Sequence, residues 1–573
     1  MKNSRFLVLL ILAHGVLVLP IAAVTVTNLL YSGNGSLREA VATTPPGGTV
    51  TFDASLDGGT IFLGGSEIVI SKDLTIDASN LPNGITLDAE EQSRIFRIFL
   101  APGSGDIEIR GLTLTRGKSG SGFDGGAIWN SATLTLRDCD FVRNTASHYR
   151  GGAIFNESSL TLIDCEFTDN FAGDSGGAIY SRDSMVLTDC VFRSNQSGSG
   201  GAILSDGIPN LTMTGCRFLS NSATYGGAYC GTGGIMTVTD CYFWGNFTLD
   251  GGAIIGGADT TTYHECVFTR NSASSGGGAI SNVTIRTEMT NCLLSQNIAY
   301  GGGAILHSSG QLTMTNCTLS ANLDTFGGGA IWNDDTLILK NGILWGNGTE
   351  VGGLAISGSS SNNLIEGEPG ATDPLFADPA SDDFRLQFGS PAIGAGNNAD
   401  NTRPSDLDGT ARILETIDLG AYETSFPDPT VMSTWAADQG LTYAQSLASA
   451  DADGDGRTTL EEFAFGLDPQ DPSDGPVFAR KISGEGGNEY FTLTIPTRNG
   501  AVFAGSPHPT ARVDGITYVI EGSTDMQDYS ASVEFIGFEN ALPAPAGWTM
   551  TTFRLMSDPS VERSGFLRVK IAE

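Results

Sequence analysis

Hydrophobic and polar residues alternate in short runs that recur along the first two thirds of the chain. Residues 133–136 (TLTL) are one such run, and Gly, Asp and Asn residues separate it from the next. Alternation over about four residues predicts a strand with one buried face. None of these runs has the length of an amphipathic helix, so the pattern predicts many short strands joined by tight turns.

A repeat between residues 124 and 347 sets the interval between these runs. Each of its nine copies contains a GGA block, an alternating run and an Asn, and eight copies also contain a Cys at a fixed place. Equivalent residues lie 24 to 26 positions apart, which predicts a parallel β-helix whose stacked coils place them in ladders about 4.8 Å apart. The Cys column comprises Cys139, Cys165, Cys190, Cys216, Cys241, Cys266, Cys292 and Cys317, and the Asn column comprises Asn144, Asn170, Asn195, Asn221, Asn246, Asn271, Asn297, Asn322 and Asn347.

The two halves of the repeat also resemble a known family. GGAI followed by F-x-x-N, as in residues 141–144 (FVRN), is similar to the repeats of chlamydial-type polymorphic outer membrane proteins. The resemblance implies an all-β fold, a right-handed parallel β-helix of the pectin-lyase-like type. It also implies a surface-exposed, adhesin-like protein more than an enzyme.

The N-terminus predicts export from the cytoplasm. Lys2 and Arg5 precede an apolar run that ends in Ala22 and Ala23, which is typical of a secretory signal peptide over residues 1–23. The run is too short and too interrupted for a membrane span, so we expect no transmembrane segment after cleavage. The mature protein is expected to be secreted or to lie at the outer membrane or cell surface.

Residues 24–360 are predicted to form the β-helix with an N-terminal cap. Residues 35–40 (GSLREA) resemble the CSLREA motif of bacterial β-helix proteins, with Gly35 in place of its Cys. Ser36 and Glu39 form a capping box that predicts a short helix ending near Val41, which would cover the edge of the first coil. Further strands are predicted at residues 49–53, 68–70, 74–77, 95–99 and 107–115.

The periodicity fades near residue 352, and further segments follow. Residues 361–425 resemble the choice-of-anchor Q segment of secreted β-helix proteins and are predicted to form a C-terminal cap. Asp406, Asp408 and Asp418 in this segment suit either a cation or turn chemistry. Residues 476–573 contain alternating runs separated by Gly and Pro, which predict a small β-sandwich.

Residues 426–475 contain the spacing of an EF-hand calcium loop. Asp at loop positions 1, 3 and 5, Gly at 6 and Glu at 12 place hard oxygen ligands around a sharp turn. Helices are predicted at residues 443–449 and 460–465, the second ending at Gly466. Thr458 at position 8 favours a lone calcium-stabilised hinge over a paired sensor. The predicted Ca²⁺ ligands are Asp451, Asp453, Asp455, the carbonyl of Arg457, Thr459 and Glu462.

The net charge indicates which partners the protein can bind, and the cysteine content raises the question of disulfides. A formal net charge of −34 argues against nucleic acid and anionic membranes, because both would repel the protein, and it is compatible with divalent cations. Nine Cys residues in an exported protein suggest disulfides. Eight of them share one column, however, where they either pack as small apolar thiols or bridge adjacent coils; we favour free thiols.

Two further columns carry candidate chemistry. The residue before each column Cys is usually Asp or Asn, as at Asp138 and Asp164, which suits either bridging Ca²⁺ ions or turns. The residue after GGAI is aromatic at Trp129, Phe155 and Tyr180. Facing outward, these rings would form a platform for a glycan or protein ligand, and facing inward they would be core. We favour the turn and core interpretations.

The sequence provides no catalytic constellation. Its five His residues do not cluster, and the motifs of β-helix polysaccharide lyases and hydrolases are absent. The sequence therefore favours a calcium-stabilised adhesin or structural spacer with a cell-surface glycan or protein ligand. The alternative is a polysaccharide lyase or glycoside hydrolase of the pectin-lyase-like fold.

Overall fold

The structure, a computed structural model, confirms the predicted all-β parallel β-helix. Parallel strands pair in register, so that Leu134 lies beside Leu160 in the next coil. The described residues are 23–100, 105–120, 122–207, 210–257, 259–282, 284–387, 390–413, 416–424, 435–436, 439, 441, 453, 457–471, 478–483, 489–513, 516–523, 529–538, 548–556 and 566–572.

Three long sheets and one shorter sheet build the β-helix. The 13 strands of sheet A are Ala23–Val26, Gly48–Phe52, Leu74–Asp77, Ile107–Arg110, Leu134–Arg137, Leu160–Ile163, Met185–Thr188, Leu211–Thr214, Ile235–Thr239, Thr260–His264, Arg286–Thr290, Gln311–Thr315 and Thr336–Lys340. The 13 strands of sheet B are Thr60–Phe62, Ile85–Asp88, Leu112–Thr115, Asp140–Val142, Glu166–Thr168, Val191–Arg193, Arg217–Leu219, Tyr242–Trp244, Val267–Thr269, Leu293–Ser295, Thr318–Ser320, Ile343–Trp345 and Leu364–Ile365.

Sheet C follows sheet B along each coil, and sheet D lies between them in the repeat coils. The 12 strands of sheet C are Ile68–Ile70, Phe96–Ile98, Ile128–Asn130, Ile154–Asn156, Ile179–Ser181, Ile203–Ser205, Tyr229–Thr232, Ile254–Gly257, Ile280–Asn282, Ile305–His307, Ile331–Asn333 and Val351–Gly353. The eight strands of sheet D are Thr145–Ala146, Phe171–Ala172, Gln196–Ser199, Ser222–Tyr225, Phe247–Asp250, Ser272–Ser275, Ile298–Ala299 and Leu323–Asp324.

Ladders of like residues fill the interior of the coils. The rings of six phenylalanines on sheet B stack with centroids 4.6–4.8 Å apart and planes within 6° of each other. Burying each such side chain contributes on the order of 1.5–3 kcal/mol. The repeat therefore places its largest apolar side chain at the same interior point of each coil. The six are Phe141, Phe167, Phe192, Phe218, Phe243 and Phe268.

The column cysteines are buried and carry free thiols. Each is held by its own turn, as where the Cys139 thiol donates to the carbonyl oxygen of Arg137 over 3.2 Å. Buried thiols of this kind behave as small apolar residues. Cys230, which lies outside the column, is half-buried.

The Asn column forms a continuous ladder of buried hydrogen bonds. At Asn195, Nδ2 donates to the carbonyl oxygen of Phe167 (2.9 Å) and to Oδ1 of Asn221 (3.0 Å), and the backbone N–H donates to the same Oδ1 (3.0 Å). The equivalent bonds recur from Asn144 to Asn322. The ladder thus satisfies buried backbone groups at the corner of each coil, as stacked amides are expected to do.

Helix α1 (Leu37–Thr43) packs against strand Ala23–Val26. Ser36 Oγ accepts the Glu39 N–H (3.3 Å), as the capping motif predicts. The Glu39 carboxylate accepts the N–H of Gly35 (2.5 Å), one residue earlier than in a standard capping box. Leu37, Ala40 and Val41 are buried, so the helix shields the edge of the first coil as expected.

The sequence missed three strands in the first coils: Ala23–Val26, Thr60–Phe62 and Ile85–Asp88. It also predicted one strand over residues 107–115, where Gly111 at a φ of 68° turns the chain from sheet A into sheet B. The predicted signal peptide lies outside the described residues except for Ala23. None of the described helices is long and apolar enough to span a membrane.

The chain divides into two compact units. The first runs from strand Ala23–Val26 to Ser359, except for Thr315–Thr318 and Leu339–Trp345, which group with the described residues from Ser360 onwards. From Ser360 onwards, the second unit contains an antiparallel pair, Phe376–Asp378 with Asp383–Leu386. Among the described residues, 3₁₀ turns lie at Pro379–Ser381 and Asn398–Asp400 in this unit and at Ala54–Leu56 in the first.

Within the second unit, residues 390–424 bond to the coil segments that belong to it. Lys340 Nζ lies 2.6 Å from Asp400 Oδ1, and Asn341 Nδ2 donates to the carbonyl oxygen of Asn397 (3.2 Å). The N–H of Ala421 donates to Thr318 Oγ1 (2.9 Å). These bonds satisfy polar groups where the parallel ladders end.

Two antiparallel sheets close the second unit. One contains Phe478–Ser483, Glu489–Arg498, Val533–Phe538 and Trp548–Leu555, and the other contains Thr510–Val513, Ile516–Ser523 and Phe566–Ala572. Helix α2 (Thr459–Phe465) shares their hydrophobic core through Leu460 and Phe463. The carbonyl oxygen of Ala464 accepts hydrogen bonds from the Tyr518 hydroxyl (2.7 Å) and Trp548 Nε1 (3.1 Å).

Candidate ligand groove and calcium loop

The aromatic column lies on the outer face of sheet C. Ile128 and Asn130 point into the β-helix and are fully buried, so Trp129 between them points outward. Register places Arg97 before Trp129 in this column, and Phe155 and Tyr180 after it. The prediction that the side chains of this column point into the β-helix is therefore wrong.

Arginine side chains nevertheless cover two of the three rings. The guanidinium of Arg150 lies 5.0 Å from the ring centroid of Phe155 and 4.8 Å from that of Tyr180. Arg182 lies over the same rings at 5.4 and 5.8 Å. Phe155 and Tyr180 are buried as a result, and the cation–π contacts stabilise this cover.

The hydroxyl of Tyr180 closes a polar network over the column. It donates to Asp206 and accepts a hydrogen bond from Arg150 Nη1 (3.2 Å). Burial raises the pKa of Tyr180, and the neighbouring Asp206 raises that pKa further. Phe155 and Tyr180 are thus part of a closed surface, so they do not form the open platform considered from the sequence.

Trp129 lies at the open end of the column, in a groove of about 660 Å³. The groove spans the three coils that precede the first strand of sheet D. In these coils, the loops between sheet B and sheet C contain no strand of sheet D. Its walls are the loops around Glu67, Arg94 and Phe123, and its floor includes Arg97 and Trp129. Phe123 is exposed at the rim.

A chain of contacts fixes the walls of the groove. Arg38 of helix α1 donates to the carbonyl oxygens of Leu63 (3.1 Å) and Glu67 (2.7 Å), which holds the first loop. Arg94 Nε lies 2.8 Å from Glu67 Oε2, and Arg94 Nη1 donates to the carbonyl oxygen of Asp124 (3.2 Å). The three loops are therefore tied together, which is the pre-organisation that a binding site requires.

The charges in the groove are not equally paired. Arg94 pairs with Glu67, and Asp124 pairs with Arg150 at 2.8 Å. Arg97 is exposed and stacks on Phe99 (5.5 Å) and Trp129 (5.7 Å). Within the part of the chain that the structure describes, Arg97 has no carboxylate within ion-pairing distance.

A second cavity of about 350 Å³ adjoins the groove. Both are lined by Gln92 and Gly120, and the second also by Lys118, His148 and Tyr149. Lys118 Nζ lies 3.6 Å from Glu91 Oε2, and both side chains are exposed. The two cavities together offer a continuous polar and aromatic surface across several coils.

The sequence reasoning identified Trp129 but missed the rest of this groove. Arg94, Arg97 and Phe123 lie before the repeat begins at residue 124, where no column marks them. The register of the strands could have revealed Arg97, because Arg97 lies one coil before Trp129 on sheet C. That register depends on the strand Phe96–Ile98, whose pairing only the structure establishes.

The Asp column before the cysteines occupies a left-handed turn. Its φ angles lie between 49° and 54° wherever the residue is not Gly, as at Asp138, Asp240 and Asn291. Asp and Asn adopt this conformation more readily than other residues with a Cβ. The turn interpretation accounts for the column. Among the described residues, no group of three or more His, Cys, Asp or Glu side chains forms a metal site.

The predicted calcium loop, residues 451–462, lies partly outside the described residues. Asp451 and Asp455 fall there, whereas Asp453, Arg457, Thr459 and Glu462 are described. Helix α2 begins at Thr459, with a capping box between Thr458 and Glu461, and ends at Gly466 in the left-handed conformation. The exit helix is thus where the loop spacing predicts it.

The position and burial of Glu462 bear on whether the loop suits Ca²⁺. The residue occupies loop position 12, in the first turn of α2, and it is fully buried. A buried carboxylate requires a compensating positive or hydrogen-bonding partner. Oxygen donors from Asp, Thr and Glu side chains are the set that Ca²⁺ prefers, so the chemistry of the loop fits this ion.

Asp406 and Asp418 accept backbone hydrogen bonds within residues 390–424. Asp406 Oδ1 accepts the N–H groups of Asp408 (2.9 Å) and Thr410 (2.8 Å), and its Oδ2 accepts that of Glu423 (2.7 Å). Asp418 Oδ1 accepts the N–H of Gly394 (2.7 Å). Turn chemistry therefore accounts for Asp406, whereas Asp418 links its own segment of chain to Gly394, 24 residues earlier.

Comparisons with known proteins agree with this architecture. Residues 97–243 match the family model described as a right handed beta helix region, and residues 265–283 match the Chlamydia polymorphic membrane protein repeat. The protein is thus of the right-handed parallel β-helix class. Within that β-helix it carries the polymorphic membrane protein repeat, as its GGAI and F-x-x-N blocks indicated.

No curated protein matches the chain. Among solved structures, a chain titled Geobacillus virus E2 - ORF18 matches with 12% identity and a TM-score of 0.30. The match covers 56% of this chain and 60% of that one.

Proposed function

We propose that this protein is a surface-exposed β-helix adhesin that binds an extracellular ligand along one side of its coils. The polymorphic membrane protein repeat supports a surface role. The single observation that carries a binding role is the groove at Trp129, where aromatic and charged side chains converge on loops held in place by Arg38 and Arg94. Few convergent polar groups beside aromatic surface are typical of ligand sites.

Adhesion is tested with beads coated with the chain from Val24 onwards. Beads should adhere to cells that display surface glycans, and free protein should compete. Beads coated with the R97A/W129L double variant should adhere less, and those coated with the W332L variant, changed in the same column but outside the groove, should adhere normally. Equal adhesion of coated and bare beads would favour a structural spacer.

The enzyme alternative is tested on the same preparation. Incubation with a panel of acidic and neutral polysaccharides should release neither unsaturated nor reducing ends above the rate without protein. Steady release from any one polysaccharide would replace the adhesin proposal with lyase or hydrolase activity.

We further propose that Ca²⁺ stabilises the loop before α2. The loop spacing and the burial of Glu462 at position 12 support this. Calorimetric titration should find one extracellular-type site, with a dissociation constant on the order of 10⁻⁴–10⁻³ M. The E462Q variant should lose binding, while E368Q, changed at an exposed residue outside the loop, should retain it. Full binding by E462Q would refute the site.

A further inference from the structure

The groove at Trp129 contains one cationic side chain that the protein itself does not neutralise. The chain has 64 acidic and 30 basic side chains, so a positive charge that no carboxylate neutralises is the local feature able to attract an acidic ligand. Arg97 is exposed on the groove floor, and within the described residues no carboxylate lies within ion-pairing distance of it. A planar guanidinium in this position can bind a carboxylate or sulfate through two parallel N–H···O bonds.

Aromatic rings lie beside this guanidinium. Trp129 is half-buried on the floor, and Phe123 is 57% exposed on the rim. Phe99, which stacks on Arg97, is 40% exposed. These aromatic side chains and the guanidinium provide an apolar face and a polar anchor within one site. A ligand that fits such a site has a ring with C–H bonds on its face and an acidic group at its edge.

The groove also presents oriented hydrogen-bond acceptors. Arg94 holds the Glu67 carboxylate, and Arg150 holds that of Asp124. Each carboxylate keeps lone pairs beyond those used by its arginine. Hydroxyl groups donate to such oxygens, whereas a ligand with only acidic groups would be repelled by them.

We propose that the groove binds an acidic saccharide, with a sugar ring against Trp129 and Phe123, its acid on Arg97, and its hydroxyls on Glu67 and Asp124. The inference rests on the adhesin function proposed above and gives the chemical class of its ligand. The adjoining cavity with Lys118 and Tyr149 extends the site to further sugar units. Nucleic acid is disfavoured because its dense charge meets a protein of net charge −34.

Calorimetry with a matched pair of probes tests the proposal. The probes are hexagalacturonate and the same hexamer with every carboxylate methyl-esterified, which share the sugar backbone and differ at the carboxyl groups, charged in the first and neutral in the second. The acid is expected to bind at least about tenfold more tightly than the ester, the effect of one charge-assisted pair. A κ-carrageenan hexasaccharide, in which every acidic group is a sulfate, forms the second arm and separates sulfate from carboxylate recognition.

Substitutions of groove residues test whether the acidic hexamer binds in the groove. R97A and W129L are each expected to weaken binding of the acidic hexamer by about tenfold or more, and R97K to weaken it less because the charge remains. The controls are R286A, an exposed arginine on sheet A, and W332L, a tryptophan in the same outward column. Both should bind as the unchanged chain does, and thermal melts should show all variants folded.

The outcomes are distinct from those of the adhesion test. Equal affinity for acid and ester, or unchanged binding in both R97A and W129L, overturns the inference. Adhesion to cells without binding of either acidic probe would overturn it while leaving the adhesin function standing. Groove-dependent binding of an acidic probe without adhesion to cells would support the inference and overturn the function.

Discussion

At the scale of single residues, the ladders concentrate stability at a few repeated positions. One Asn in each coil satisfies a backbone carbonyl, a backbone N–H and the next amide. One residue before each column Cys takes a left-handed conformation. Backbone geometry determines which residues suit both positions. The effect of a substitution there on stability therefore depends on backbone conformation and hydrogen bonding more than on the size of the side chain.

Removing one amide from the ladder should be costly. In the N221A variant, the N–H and Nδ2 of Asn195 and the carbonyl oxygen of Phe192 lose their bonds to Asn221 while remaining buried. Each unsatisfied buried group costs about 1–3 kcal/mol, so we expect a loss of about 3–5 kcal/mol in the free energy of unfolding, measured with urea. The exposed control N34A should change it by less than about 0.5 kcal/mol. Similar losses in both variants would contradict the ladder's role.

A glycine at an occupied left-handed position should stabilise the protein. Ala321 is exposed and has a φ of 55°, a conformation that costs a residue with a Cβ about 1–2 kcal/mol. A321G removes this cost and adds a smaller entropic one, so we expect a gain of about 0.5–1 kcal/mol in urea unfolding. The control A42G in helix α1 should lose about 1 kcal/mol. A loss in A321G would show that the turn is not strained.

At the scale of elements, the segment over residues 390–424 is held by buried charge. Arg412 is fully buried, its Nη1 lies 3.8 Å from Glu423 Oε2, and Nη2 donates to the carbonyl oxygen of Asp418 (3.2 Å). Asp406 and Asp418 also lie close to this guanidinium. Three carboxyl groups around one arginine leave an excess of negative charge, which protonation of one carboxyl relieves.

This cluster should make the segment less stable as pH rises. Burial raises the pKa of Glu423 to about 8, and the charge of Asp418 contributes. The unfolded pKa is about 4.3, so the stabilising proton is fully bound below that pH and is lost as pH rises through about 8. We expect the urea midpoint of the second unit to fall between pH 6 and pH 9. E423Q, which stays neutral, should show a smaller fall, and an equal fall in both proteins would refute this assignment.

Helix α2 joins the predicted calcium loop to the core of the second unit. Its apolar face contributes Leu460 and Phe463 to the core of the two antiparallel sheets, and Glu462 on the same short helix occupies the last position of the predicted loop. The calcium proposal therefore links ion binding to the packing of these sheets, because displacement of α2 would move both.

At the scale of the whole molecule, charge opposes compactness. A net charge of −34 generates self-repulsion that salt screens, since the Debye length falls from about 30 Å at 0.01 M to about 8 Å at 0.15 M. We expect the Tm in the presence of a calcium chelator to rise by a few degrees, on the order of 2–5 °C, over this range of NaCl. Calorimetry measures this shift, and a Tm that falls with salt would show that ion pairs outweigh the repulsion.

The sequence by itself determined the β-helix, its ladders and helix α1, because a fixed period forces equivalent residues such as Phe141 and Phe167 into contact and because capping depends on residues close in sequence. Only the tertiary structure decided the direction of the Trp129 column and the assembly of the groove. Arg97 comes from the coil before the one that holds Phe123 and Trp129, and that earlier coil lacks the repeat that would have aligned it with Trp129. Which side chains cover a surface, as Arg150 covers Tyr180, depends on loops whose paths the period does not fix.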